Sequence, residues 1–183
     1  MRSLKAPLET WSFAEDAAER GAPADEPFDS FGPVSDIRKA LNMPGRSHVP
    51  QAPHDFTRIL VAEDDAFSRR VLRVLLSSPR MSVIEVEEGQ AAIDLLALRS
   101  FDLLILDLTL PLMTGEDVIR WIRRHNTPWN DIPILGLVDD SMKHEVGRLT
   151  SLGMSDWTAK PLSRHHLADK IVHLLPGLFD AGL

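Results

Sequence analysis

The run Leu103-Leu104-Ile105-Leu106-Asp107 places four large apolar residues in succession and stops abruptly on an acid. It is too short for a buried helix, and its continuous hydrophobicity suits a parallel strand covered on both faces. The same pattern repeats on either side. Upstream, Ile59 to Ala62 is a short apolar strand that runs into Glu63, Asp64 and Asp65, and Phe67 to Ser77 carries Val71, Leu72, Leu75 and Leu76 at helical spacing. Ser82 to Glu87 alternates as a strand, and Gly89 to Leu98 is Ala- and Leu-rich as a helix. Downstream, Gly115 to Arg124 puts Val118, Ile119 and Ile122 on one helical side. Pro133 to Val138 is a fourth strand, and Met142 to Leu152 a fourth helix with Ser141 as its cap. Ser155 to Thr158 is a weak fifth strand, and Ser163 to Leu175 closes the series as a helix. Five βα units in a row predict an α/β fold with a parallel sheet between helices, since each parallel crossover needs a helix to bring the chain back.

In such open sheets the chemistry collects beyond the carboxyl ends of the strands. Polar residues stand there in this chain. Glu63 and Asp64 follow the first strand, Asp107 ends the third, and Lys160-Pro161 follows the fifth. Carboxylates gathered at one sheet edge repel one another, and a hard divalent cation among their oxygens relieves that repulsion. Mg2+ suits the set, because it takes an oxygen shell, keeps several waters and needs only two or three carboxylates. A lysine at the same edge supplies a movable positive charge for a phosphoryl oxygen. Metal and ammonium around one carboxylate are the equipment for phosphoryl transfer to that carboxylate.

Three stretches together resemble the receiver domains of bacterial two-component response regulators. They are Ile59-Leu60-Val61-Ala62-Glu63-Asp64-Asp65, the run from Phe101 through Asp107 and Pro111 to Met113-Thr114-Gly115, and Gly153 through Trp157 to Lys160-Pro161. The resemblance covers residues 58–176 and implies a flavodoxin-like three-layer sandwich, with five parallel strands in the order 2-1-3-4-5 and five helices. It implies Asp107 as phosphoacceptor and Lys160 as the cation that neutralises the bound phosphoryl group. Glu63, Asp64 and Asp107 would hold Mg2+, with the backbone carbonyl of Thr109 as a further ligand. Pro161 would follow a cis peptide bond and Trp157 would be the switch aromatic. Asp65 stays outside the ligand set, because that position is often merely polar in relatives.

The fourth strand departs from the family pattern. Val138 stands where relatives carry Thr or Ser, whose hydroxyl donates to the phosphoryl group and draws the loop inward. Valine has the shape but no donor, a loss of one charge-assisted hydrogen bond worth roughly 1.5–3 kcal/mol. Asp139 replaces a small residue at the rim and should either repel an approaching phosphoryl donor or add to divalent-ion affinity. Thr114 stands where many relatives have an acid.

The remaining features bound the function. A net charge of -7 argues against nucleic acid as partner. The pairs Arg69-Arg70 and Arg123-Arg124 read as solvated helix faces. No apolar run is long enough to span a membrane, and the absence of cysteine excludes disulfides and thiolate metal sites. A cytoplasmic protein is the expectation. His125, His144, His165, His166 and His173 lie on or beside helices without shared strand-end placement, and Gly-rich nucleotide loops are absent. Residues 1–57 are rich in proline and read as a largely disordered extension with a short helix over 35–43 capped by Ser35; the alternative, suggested by Trp11, Phe13, Phe28 and Phe31, is a docking segment that lies on its own domain or on a partner. Residues 177–183 read as a tail with no room for an output domain. The expected protein is therefore a single-domain phosphoacceptor in a two-component or phosphorelay pathway, a signalling protein and not an enzyme toward other substrates. Its partners would be a histidine kinase or histidine phosphotransfer protein and a downstream protein, met on the first-helix face around Phe67, Ser68 and Arg70. The alternative is a receiver-like adaptor that binds its partner independently of phosphorylation. A hydrolase with Asp107 as nucleophile lacks an evident cap or second general acid.

Overall fold

Five strands, β1 (Thr57–Ala62), β2 (Met81–Val86), β3 (Leu103–Asp107), β4 (Ile134–Val138) and β5 (Asp156–Ala159), pair in parallel in the order β2-β1-β3-β4-β5. This is the flavodoxin-like topology expected from the sequence. The computed structural model describes residues 56–125 and 127–176, so the expectations for the extension up to residue 55 and for the tail 177–183 lie outside the described residues.

The sheet is covered on both faces by α1 (Ala66–Leu75), α2 (Gly89–Leu98), α3 (Gly115–Arg124), α4 (Val146–Ser151) and α5 (Arg164–Leu174). Every residue of β3 and β4 is buried, which is why their sequences are continuously apolar. Alternate positions serve opposite layers. Ile59, Val61, Leu103, Ile105, Leu135 and Leu137 pack with Leu72 and Leu76 of the α1 region and with Leu167 and Ile171 of α5. Leu60, Leu104 and Leu106 point the other way, and Ile93, Leu96, Val118, Ile119 and Ile122 of α2 and α3 are buried as well.

Helix starts are locally encoded. The Asp65 carboxylate accepts from the Ser68 amide at 2.7 Å and caps α1. Thr114 and Asp117 form a reciprocal capping box on α3, whose first turn is acidic and last turn basic, as the helix dipole favours. Gly115 is required by a close approach. A Cβ there would lie 2.5 Å from the Asp107 carbonyl oxygen and 2.6 Å from the Leu108 Cα, so any side chain would push α3 away from the end of β3.

Two expectations are corrected. The fourth helix does not run from Met142 to Leu152, nor does Ser141 cap it. Asp140–Glu145 forms a 3₁₀ turn that contains Ser141, and α4 proper is only Val146–Ser151. Lys143 pairs with Asp140 at 2.7 Å, the i,i+3 spacing that a 3₁₀ turn brings into register, while Val146 and Gly147 are weak helix formers. The arginine pairs are not both solvated. Arg70 and Arg124 are exposed, but Arg69 and Arg123 turn inward. Arg123 donates to the carbonyls of Asn130, Ile132 and Gly153, and Arg69 to those of Glu63 and Asp64. Adjacent helical residues point about 100° apart, so one member of each pair meets the protein.

Candidate functional site

Register decides which strand ends meet. Ala62 lies opposite Leu106, so Glu63 emerges level with Asp107 on the neighbouring strand. Asp107 lies opposite Leu137 and Val138 opposite Ala159, which brings Lys160 to the same edge across the end of β4. The Lys160 amide donates to the Val138 carbonyl at 2.9 Å, and the Lys160–Pro161 peptide is cis.

Lys160 Nζ donates to Asp107 Oδ2 at 2.7 Å and lies 2.8 Å from Glu63 Oε2. The Glu63 side chain is 0% exposed and that of Asp107 1%. The other Asp107 oxygen, Oδ1, accepts from the Thr109 amide and from the Thr109 hydroxyl, both at 2.9 Å. Asp64 is exposed at the mouth, and single carboxylate oxygens of Glu63, Asp64 and Asp107 all lie within 4.8 Å of one another. The sequence brought these residues to one edge but did not signal the double grip of Thr109, nor that Asp65 is spent on capping α1. Arg69 was also missed. Its signal is an arginine one turn into the helix that follows an acidic strand end.

Burial pushes the Glu63 carboxyl up to about 7, against the pull of Lys160, and neighbouring Asp107 raises it further. Burial acts upward on Asp107 too, but Lys160 and the Thr109 amide outweigh it and hold this carboxyl below its usual value. Burial acts downward on Lys160, whose two carboxylate partners nevertheless raise it above the ordinary lysine value. The single ammonium contacts two carboxyl groups of a cluster of three, which leaves an excess of negative charge made of hard oxygen donors. That donor set fits a divalent oxygen-seeking cation such as Mg2+.

The family model for the response regulator receiver domain matches residues 59–172, more than half of the chain. The chain belongs to the response regulator receiver domain family. Among its relatives, the chain is 30% identical over 140 residues to the sensor histidine kinase GacS of Pseudomonas protegens, which covers 74% of this chain and 14% of GacS. It is 35% identical over 119 residues to the response regulator MprA of Mycolicibacterium vanbaalenii, covering 64% of this chain and 50% of MprA. The chain thus spans half or less of the length of these curated relatives. Among solved structures, the receiver domain of sensor histidine kinase PA1611 from Pseudomonas aeruginosa, with a magnesium ion coordinated in its active-site cleft, superposes with a TM-score of 0.60. It is 25% identical and covers 66% of this chain and 98% of that one. Receiver domains of this family serve two-component signalling. Among the described residues of this one, no helix is long and apolar enough to cross a membrane.

The raised Glu63 carboxyl makes the stability of the metal-free receiver domain pH-dependent. Between pH 4.5 and about 7 the folded state keeps a proton that the unfolded state has released, so stability falls as pH rises through that window. The fall should amount to about 2–3 kcal/mol. The depressed Asp107 acts in the opposite sense, but only in more acidic solution, where protonation removes the stability it adds. Urea unfolding in a chelator at pH 5 and pH 8 measures the difference. Equal midpoints and slopes at the two pH values would remove the buried acid from the account.

Proposed function

We propose that this receiver domain, over residues 58–176, accepts a phosphoryl group on Asp107 from the phosphohistidine of a histidine kinase or histidine phosphotransfer protein. It would do so in the cytoplasm, as a phosphoacceptor that catalyses only its own modification and acts by protein contact. The observation that carries the reading is the Lys160 ammonium held 2.7 Å from a buried Asp107 carboxylate, with Glu63 and Asp64 alongside. A carboxylate oxygen of Asp107 attacks phosphorus and the P–N bond breaks. The electron pair stays on the imidazole, which takes up a proton. Lys160 then lies within reach of the new phosphoryl oxygens. Mg2+ held by Glu63, Asp64 and Asp107, with the Thr109 carbonyl as a further ligand, would neutralise charge that develops on those oxygens. The magnesium in the PA1611 receiver domain supports that assignment. The test is exposure to acetyl phosphate or phosphoramidate with Mg2+, followed by intact mass and peptide mapping. One phosphoryl group on the peptide containing Asp107, lost in chelator, is expected. No labelling by either donor or by any histidine kinase would overturn the reading.

The second reading, an adaptor indifferent to phosphorylation, is favoured by Val138. This residue is fully buried at the end of β4, next to the Leu137 that pairs with Asp107, and offers no donor where relatives have one. Asp139 follows it half-buried at the rim, where its carboxylate opposes an anionic donor. Conformational coupling from the site to Trp157, half-buried on β5, would then be weak. Val138→Thr should lengthen the lifetime of the aspartyl phosphate by about tenfold, the worth of one charge-assisted hydrogen bond. It should also cost the unphosphorylated protein about 1 kcal/mol, because the buried hydroxyl then has no phosphoryl partner. Unchanged lifetime would count against this account of β4.

Two large apolar side chains are exposed in the segments that follow the acid-bearing strand ends: Phe67 on the first turn of α1, 74% exposed, and Leu112 in the connection from β3 to α3, 93% exposed. Leu112 has φ 63, a left-handed backbone that leucine adopts only at a cost. A strained and fully wet leucine suits a contact made with the phosphohistidine-bearing partner. Leu112→Gly should therefore raise stability by about 0.5–1 kcal/mol while slowing transfer from the protein donor. Labelling by acetyl phosphate should stay unchanged. Equal slowing with both donors would place the effect in the site itself.

A further inference from the structure

Glu63 and Asp64 lie in the short connection between β1 and α1, where no strand pairing holds their peptide groups beyond the Glu63 amide, which donates to the Val86 carbonyl. Their carboxylates share a 4.8 Å cluster with Asp107, whose mutual repulsion the single Lys160 ammonium offsets only in part, so a further grip on that connection helps to keep them together. Arg69 reaches back from the second turn of α1. One terminal nitrogen donates to the Glu63 carbonyl at 2.8 Å and to the Asp64 carbonyl at 2.7 Å, and the other donates to Glu87 Oε1, just past β2. The Arg69 side chain is 13% exposed and that of Glu87 68%. A single planar guanidinium thus ties the two acid-bearing peptides to the helix on one side and to the β2 end on the other. Lysine lacks the rigid fork that such a grip uses.

We propose that Arg69 is a positioning residue for the divalent-cation site, holding the Glu63 and Asp64 backbones so that their carboxylates converge with Asp107. The inference rests on the reading that this acidic cluster binds a divalent cation. Two effects of the guanidinium have opposite signs. As a bare positive charge it would weaken cation binding. As a clamp on the ligand-bearing backbone it strengthens binding, in the way partners behind metal ligands usually do. The sign of the change on removing it therefore separates the two roles. Arg73 provides an internal control. It sits one turn further along α1 and bridges to Glu85 of β2 through its side chain, and the Glu63 and Asp64 carbonyls are held by Arg69.

The experiment is a titration of the full chain with MgCl2, followed by calorimetry or tryptophan fluorescence, on wild type, Arg69→Gln, Arg69→Lys, Glu87→Gln and Arg73→Gln. Urea unfolding of each sets the folded fraction. The Mg2+ dissociation constant should rise about tenfold in both Arg69 variants, by about twofold to threefold in Glu87→Gln, where Arg69 loses one anchor, and not in Arg73→Gln. Unchanged or tighter binding in Arg69→Gln overturns the positioning role and leaves only a charge effect. Recovery of wild-type affinity by Arg69→Lys overturns it equally, since charge is kept and the fork is lost. If the Arg69 variants do not fold, Glu87→Gln decides, because its side chain is exposed, and an unchanged constant there overturns the proposal. A wild type that binds no Mg2+ refutes the cation reading of the site itself, an outcome distinct from all of these.

Discussion

Asp107→Asn should bring labelling by acetyl phosphate, and by any histidine kinase that labels the wild type, down to background. An amide oxygen is a poor nucleophile toward phosphorus, and neither neighbouring carboxylate has the Asp107 arrangement of one oxygen on the Lys160 ammonium and the other on the Thr109 amide. Glu63 is committed to Lys160 in a fully buried position, and Asp64 stands exposed at the mouth. The fold should tolerate the change. The Asn oxygen can still accept from the Thr109 amide and hydroxyl and the volume is conserved, while Lys160 loses its Asp107 acceptor to the amide NH2 and keeps Glu63 as its partner. Removing the Asp107 charge also relieves Glu63, whose carboxyl is raised by burial first and by Asp107 in addition. Stability at neutral pH should accordingly stay within about 1 kcal/mol of wild type, and the decline between pH 5 and pH 8 should become shallower. Intact mass after acetyl phosphate treatment, together with urea unfolding at the two pH values, checks both parts. A labelled variant would mean that another side chain is the acceptor.

Lys160→Met is expected to have the largest effect on stability. The ammonium contacts both Glu63 and Asp107, and neither carboxylate has water to turn to. Methionine keeps most of the stem's packing, so the loss is mainly that of charge. Leaving buried carboxylates without their cation should cost about 2–4 kcal/mol at pH 8 in chelator. At pH 5.5 the cost should be smaller, because Glu63 can hold a proton there. If the site binds Mg2+, saturating the variant with it should restore part of the loss, since the cation then takes over the neutralisation. An unfolding free energy unchanged at pH 8 would show that the Lys160 contacts are energetically idle. Labelling should fall as well if Lys160 meets the transferred phosphoryl oxygens as proposed.

Much of this was legible from local pattern. Continuous apolar runs such as Leu103 to Leu106 appear only where both faces of a strand are covered, so they announced a parallel sheet. The acids that end such runs announced where the chemistry would collect. Boundaries were less legible where weak signals competed. Met142 to Leu152 looked like one helix, yet the Asp140–Lys143 pair and Val146-Gly147 divide it into a 3₁₀ turn and a short helix. The direction of individual side chains was legible only in part. Arg69 and Arg70 are indistinguishable as letters, and the rotation of the helix turns one onto carbonyls and the other into water.

The amino-acid sequence by itself determined the order of strands and helices, the three strand ends that carry Glu63, Asp64, Asp107 and Lys160, and the absence of a hydroxyl at Val138. These are properties of composition and spacing, which any fold of this pattern inherits. The tertiary structure alone decided what each acid does. Asp65 caps a helix, Asp64 faces solvent, Asp107 is held low by Lys160 and Thr109 against the effect of burial, and Glu63 is driven up to about 7 by that same burial. A carboxylate's proton affinity depends on how much water and which charges surround it, and those are set by residues far away in the chain. Lys160 reaches Asp107 across 53 positions of sequence only because β4 and β5 lie in register beside β3.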